Sequence, residues 1–124
     1  MQERMKVVIA EADPLERDLM VLALQQKGYL VETASQEEAI YTLVKAVQPD
    51  LVILDTFLPG VNGIDVMINI RKLKLVPSDK FIIVSGMRFQ EVVTRAIQAG
   101  ASDFIAKPID LDLFLERISR ITQG

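Results

Sequence analysis

The stretch Leu51-Val52-Ile53-Leu54-Asp55-Thr56-Phe57-Leu58-Pro59-Gly60-Val61-Asn62-Gly63 decides how the rest of the chain is read. Four consecutive apolar residues fit a strand buried on both faces, as in a parallel sheet covered by helices on each side. The strand ends where Asp55 brings a charge, and Pro59-Gly60 and Asn62-Gly63 then turn the chain. Asp55 is thereby pinned at the carboxyl end of a core strand, which is where open α/β sheets place their ligand sites.

Working outward, apolar runs alternate five times with amphipathic stretches. Val7 to Ala10 is the first strand, and Asp13 and Pro14 open a helix as N-cap and first helical residue. The apolar stripe of that helix is read as Leu15, Leu19, Leu22 and Ala23, and Gly28 ends it. Leu30 to Ala34 follows as a strand, and Ser35 to Glu38 matches a capping box that opens a second helix through Ile40, Leu43, Val44 and Val47. A third helix is expected from about Ile64 to about Leu73, before Pro77. Then come a strand over Phe81 to Val84, a helix over Gln90 to Ala99 closed by Gly100, a strand over Asp103 to Ala106, and a last helix. Asp110 caps that last helix, whose apolar face is Leu113, Phe114, Ile118 and Ile121. This (βα)5 alternation predicts an α/β, doubly wound three-layer sandwich with a parallel five-stranded sheet in the order 2-1-3-4-5.

Composition narrows the chemistry. The 124 residues fit one domain, 1–124, either free-standing or part of a longer protein. Half the residues are apolar, and 14 Lys and Arg stand against 17 Asp and Glu for a net charge of −3. That balance offers no basic surface for direct nucleic-acid binding by this domain. Cysteine and histidine are both absent, so disulfides, thiolate metal sites and imidazole bases are excluded. No apolar run is long enough to span a membrane, and the short run before Glu11 is no signal peptide. A cytoplasmic location is the expectation.

In the predicted sheet, the carboxyl ends of four strands converge at one edge. They bring Glu11 and Asp13, then Asp55, then Ser85-Gly86, then Lys107-Pro108. Acids, a hydroxyl and a lysine together suit a hard cation and an anionic group. Taken singly, each has a plainer reading: Asp55 as a strand-end turn former, Ser85 as the start of a turn, Lys107 as a solvated lysine, Phe104 as an edge aromatic.

Together, these motifs resemble the receiver domains of two-component response regulators. Asp50 to Gly63 is similar to the phosphoacceptor region of that family, Ser85 to its conserved Ser/Thr, and Gly100 to Pro108 to its aromatic-switch strand and lysine. The resemblance covers essentially the whole chain and implies a flavodoxin-like fold and a role in phosphorelay, not an enzyme activity of its own. Asp55 would accept a phosphoryl group from a sensor histidine kinase or phosphotransfer protein. Mg2+ would be held by Asp55, the Phe57 carbonyl and Glu11 through water, with Asp13 a further candidate. Lys107 would pair with phosphoryl oxygens across a cis Lys107-Pro108 bond. Ser85 would move to the phosphoryl group and Phe104 would turn inward with it. The fourth helix, fifth strand and fifth helix would form the output face and a homodimer surface, with Arg95, Asp103 and Arg117 as charge-pair candidates there. Met87-Arg88-Phe89 is a further apolar patch.

Two departures from the family pattern carry expectations of their own. The family places two adjacent acids after its first strand. Here the stretch is Glu11-Ala12-Asp13-Pro14, so Ala12 occupies the position of the acid that normally binds Mg2+ directly. A methyl group cannot ligate a hard cation. Two like charges about 4 Å apart repel by about 4 kcal/mol at an effective dielectric near 20, so an under-compensated site is costly. Weakened Mg2+ affinity and slower phosphorylation follow. The alternative is a degenerate receiver acting as a phosphorylation-independent interaction module. The second departure is apolar bulk at Phe57 and Met87, two positions beyond Asp55 and Ser85, which predicts a long-lived phospho-form. A hydrolase with Asp55 as nucleophile finds little support, because Phe57 stands where dehalogenase-type enzymes need a second aspartate. Neither a G-x-x-x-x-G-K-[ST] loop nor a G-x-S-x-G elbow is present.

Overall fold

The alternation read from the sequence folds as a five-stranded parallel sheet between two helical layers. The computed structural model describes residues 4–76 and 78–123. Its core strands are β1 (Lys6–Ala10), β2 (Leu30–Ala34), β3 (Leu51–Asp55), β4 (Phe81–Ser85) and β5 (Asp103–Ala106). The helices are α1 (Pro14–Gln26), α2 (Glu37–Val47), α3 (Gly63–Lys72), α4 (Gln90–Gln98) and α5 (Leu111–Gln123). The strand order is β2-β1-β3-β4-β5, with every neighbour parallel, as expected.

Alternation along the strands divides the core in two. Val8, Ala10, Val52, Leu54, Phe81 and Ile83 face α2, α3 and α4, meeting Ile40, Val44, Ile64, Met67, Ile70 and Ala96. Val7, Ile9, Leu51, Ile53, Ile82, Val84 and Ile105 face α1 and α5, meeting Met20, Leu24, Phe114 and Ile118. β3 and β4 are buried along their whole length. Each Val, Leu, Ile, Phe or Met side chain so buried contributes about 1.5–3 kcal/mol by leaving water.

Three local readings need correction. In α1 the buried residues are Met20, Ala23 and Leu24, whereas Leu15, Leu19 and Leu22 are 69%, 42% and 57% exposed. Residues 19–24 are all apolar, so more than one face of this helix satisfies a 3.6-residue period. The direction in which the chain leaves β1 chooses between them. In α2 the capping box does not form. The N-cap is Gln36 without a side-chain bond, and Glu37 and Glu38 sit in the first turn, where the helix dipole favours acids. In α5 the reading is correct for Phe114 and Ile118 but not for Leu113, which is 39% exposed.

The caps on the site side agree with the sequence. Asp13 accepts from Leu15 N–H at 2.9 Å, and Asp110 from Asp112 and Leu113 N–H at 3.0 and 3.2 Å. α3 begins at Gly63, with Asn62 capping Ile64 N–H at 2.8 Å, and its last helical residue is Lys72. Pro77, expected beyond its end, lies outside the described residues. Past β3 the chain also forms a small antiparallel hairpin, Phe57–Leu58 with Val61–Asn62, around the turn at Gly60 (φ +71°).

Candidate functional site

Strand register assembles the pocket. Ala10 pairs with Leu54, so Glu11 and Asp55, the next residues, stand level at the sheet edge. Asp55 pairs with Val84, and Ser85 with Ala106, which brings Ser85 and Lys107 to the same edge. All four strand-end residues singled out from the sequence are thus adjacent. Glu11 is 1% exposed and Asp55 3%, at the base of a cleft lined also by Ala12, Asp13, Phe57, Pro59 and Gly86, and Ser85 is fully buried.

Lys107 holds the acids together. Its Nζ donates to Glu11 Oε1 at 2.6 Å and also to Asp55 Oδ2. The Lys107-Pro108 bond is cis. Lys107 N–H donates to Ser85 carbonyl at 2.8 Å, and Arg88 Nη2 donates to the Lys107 carbonyl at 2.8 Å. The loops after β4 and β5 are therefore tied to each other. Burial alone disfavours the Lys107 ammonium, but the bonds to Asp55 and Glu11 outweigh it and raise its pKa. Glu11 moves in the costly direction for an acid. Burial is the main cause; the bond from Lys107 opposes it, the proximity of Asp55 reinforces it, and the carboxyl pKa is pushed up to about 7. Asp13 N–H donates to Glu11 Oε2 at 3.2 Å and helps to aim it.

The other oxygen of Asp55 faces main chain and hydroxyls. Phe57 N–H donates to Asp55 Oδ1 at 2.7 Å, and the Thr56 hydroxyl lies 3.5 Å from the same oxygen. Thr56 Oγ1 and Ser85 Oγ are 2.6 Å apart, and Ser85 Oγ accepts from Met87 N–H at 2.9 Å. Sequence reasoning missed Thr56. The available signal was a hydroxyl directly after the strand-end acid. Gly63 was read only as part of a turn. A Cβ there would lie 1.9 Å from the Asp55 carbonyl oxygen, so the first turn of α3 can rest on the acceptor strand only because residue 63 has no side chain.

The remaining candidates separate. Phe104 is half-buried against the α2–α4 side of the core. Phe57 is 71% exposed and Phe89 66%, with Met87 at 39%. Arg117 pairs with both oxygens of Asp103 at 2.7 Å, linking β5 to α5, while Arg95 turns to Asp65 of α3 at 2.5 Å.

Among the described residues, no three acidic side chains converge closely enough to hold a metal ion between them. Glu11, Asp55 and Phe57 do border one cleft, with Ala12 beside them, while the Asp13 carboxylate is engaged by the α1 cap. Two carboxylates, a carbonyl and water suit a largely hydrated Mg2+, which normally retains several waters. The donor set fits that ion with one carboxylate fewer than a closed acidic triad.

Comparison with known proteins identifies the family to which this fold belongs. Residues 7–119 match the response regulator receiver domain family. The chain is 32% identical over 120 residues to chemotaxis protein CheY of Thermotoga maritima, covering 95% of this chain and 98% of that protein. It is 40% identical over 100 residues to protein CcdB of Bacillus subtilis, covering 79% and 81% respectively. Among solved structures, the receiver domain of NarL from Mycobacterium tuberculosis superposes with a TM-score of 0.87 at 28% identity, over 99% of both chains. No described helix is long and apolar enough to cross a membrane. Receiver domains are signalling modules rather than enzymes, and they exchange phosphoryl groups with histidine kinases or phosphotransfer proteins. The chain belongs to the response regulator receiver domain family of two-component phosphorelay systems.

Proposed function

We propose that Asp55 is the phosphoacceptor of a cytoplasmic receiver whose Mg2+ affinity is weakened by Ala12. The observation that carries this reading is the pair of buried acids, Asp55 and Glu11, bridged by half-buried Lys107 in an open cleft beside Ala12. A carboxylate oxygen of Asp55 attacks phosphorus, an O–P bond forms, and the P–N bond to the donor histidine breaks, the electron pair leaving on the imidazole. Such transfers need positioning and charge neutralisation more than covalent help. Phe57 N–H fixes one oxygen of Asp55 and Lys107 the other, so the nucleophile arrives oriented. Lys107 then stays beside the oxygens of the transferred group. Bound Mg2+ would add positive charge at those oxygens, held by Asp55, the Phe57 carbonyl and Glu11 through water.

The Mg2+ deficit follows from two properties of the pocket. Ala12 offers no oxygen, and burial disfavours the charged form of Glu11. An Ala12→Asp variant is expected to bind Mg2+ at least tenfold more tightly than the native chain and to be phosphorylated faster by acetyl phosphate. Equal affinities in a titration would overturn the Mg2+ part of the proposal. A native Asp55 left unmodified under conditions that modify the variant would favour a phosphorylation-independent interaction module. One observation supports that second reading: Lys107 already bridges both acids without a metal.

Ser85 responds to the phosphoryl group, Phe104 follows it, and the output is carried by the face of α4, β5 and α5, which also serves as the homodimer surface. Phe57 and Met87 provide no polar side chain to orient a hydrolytic water, which supports a long-lived phospho-form. A half-life no longer than that of a Phe57→Asn variant would refute that part.

A further inference from the structure

Thr56 has no role in the mechanism above, yet it holds the closest contact to Ser85. Its hydroxyl is buried, 2.6 Å from Ser85 Oγ and 3.5 Å from Asp55 Oδ1. A hydroxyl carries one proton and two acceptor sites. Met87 N–H already points at Ser85 Oγ at 2.9 Å, so the proton of Ser85 must find its own acceptor elsewhere. If Thr56 donated to Ser85, the Ser85 proton would be left inside a pocket where that side chain is 0% exposed. An unpaired buried hydroxyl proton is costly. The opposite direction satisfies each group: Met87 N–H to Ser85, Ser85 to Thr56, and Thr56 towards Asp55 Oδ1. Among the described residues, no buried side-chain nitrogen or oxygen lacks a partner.

We propose that Thr56 is a positioning residue that latches Ser85 in the unphosphorylated state by accepting its only hydroxyl proton. Ser85 can donate to a phosphoryl oxygen on Asp55 only after this bond breaks. Thr56 and the phosphoryl group therefore compete for one proton, and the competition sets how readily phosphorylation throws the switch. The inference rests on reading Asp55 as phosphoacceptor and Ser85 as the responding hydroxyl.

Thr56→Val keeps the shape of the side chain and removes its oxygen, while Thr56→Ser restores the oxygen. Beryllofluoride with saturating Mg2+ is the probe, titrated into the native protein and both variants by NMR. Losing the latch is expected to tighten beryllofluoride binding of Thr56→Val by roughly fivefold, the net worth of about one hydrogen bond, with Thr56→Ser near native. Unchanged or weaker binding by Thr56→Val overturns the latch; the weaker result would make Thr56 a direct donor to the phosphoryl group. A second measurement needs no phosphoryl mimic. Scalar couplings should show one Ser85 χ1 rotamer in the free native protein and in Thr56→Ser, but averaging in Thr56→Val. A single rotamer in all three overturns the proposal. If the native protein ignores beryllofluoride altogether, the phosphoacceptor reading fails, and the couplings alone decide whether the latch exists.

Discussion

The pocket has two halves built on different physics. On one side Glu11, Asp55 and Lys107 come from the ends of three strands and balance charge. On the other, Thr56, Ser85 and Met87 N–H form a neutral chain of hydrogen bonds. The charged half is strong, pH-dependent and intolerant of losing a member. The hydroxyl half is weak enough to be broken by a new partner. Asp55 belongs to both, one oxygen facing each side.

Lys107→Met should produce the largest effect, because it leaves two buried acids facing each other without a cation. Removing one member of a buried charge group costs about 3–5 kcal/mol. Urea unfolding should show the loss growing as pH rises and Glu11 ionises. A loss independent of pH would mean that charge does not organise this half.

Glu11 supplies the next test. Its folded pKa of about 7 lies above the ordinary 4.5, so between these values the folded state retains a proton that the unfolded chain has released. Glu11 therefore favours folding below pH 4.5 relative to higher pH. Its contribution to stability falls by about 3 kcal/mol as pH rises through 7. Glu11→Gln should flatten that slope, and an unchanged slope would assign it to another group.

Gly63→Ala strikes the residue on which both halves rest, by driving a methyl group into the Asp55 carbonyl. A cost at the upper end of about 1–3 kcal/mol is expected, read as a lowered urea midpoint. The smallest effect belongs to the hydroxyl half. Ser85→Ala and Thr56→Val should each cost about 1 kcal/mol. In a double-mutant cycle the two should be coupled by a similar amount; strict additivity would show that the 2.6 Å contact carries no energy.

The charged half was legible in the sequence because charge is rare at the end of an apolar run. Glu11, Asp55 and Lys107 each interrupt a strand, and the parallel topology brings those interruptions together. The hydroxyl half was only partly legible. Ser85 stood out after four apolar residues, but Thr56 is an ordinary strand-end residue, and its importance depends on a β3–β4 register that periodicity cannot supply. The misread face of α1 has the same origin. With six consecutive apolar residues, local pattern admits several faces, and packing against β1 and α5 selects Met20 and Leu24. The capping box at Ser35 failed because β2 remains paired through Ala34, and the helix begins only after the chain has left the sheet.

The bond from Lys107 to Glu11 joins residues 96 apart in the chain. Closing so long a loop is entropically expensive, and contacts of this separation form late in folding. Until β5 docks beside β4, Glu11 and Asp55 are two acids without a cation. During synthesis the chain carries Glu11 and Asp55 well before Lys107 is added. The acid–lysine trio is thus complete only once β5 is in place, so the last strand of the sheet also closes the charge network begun by the first.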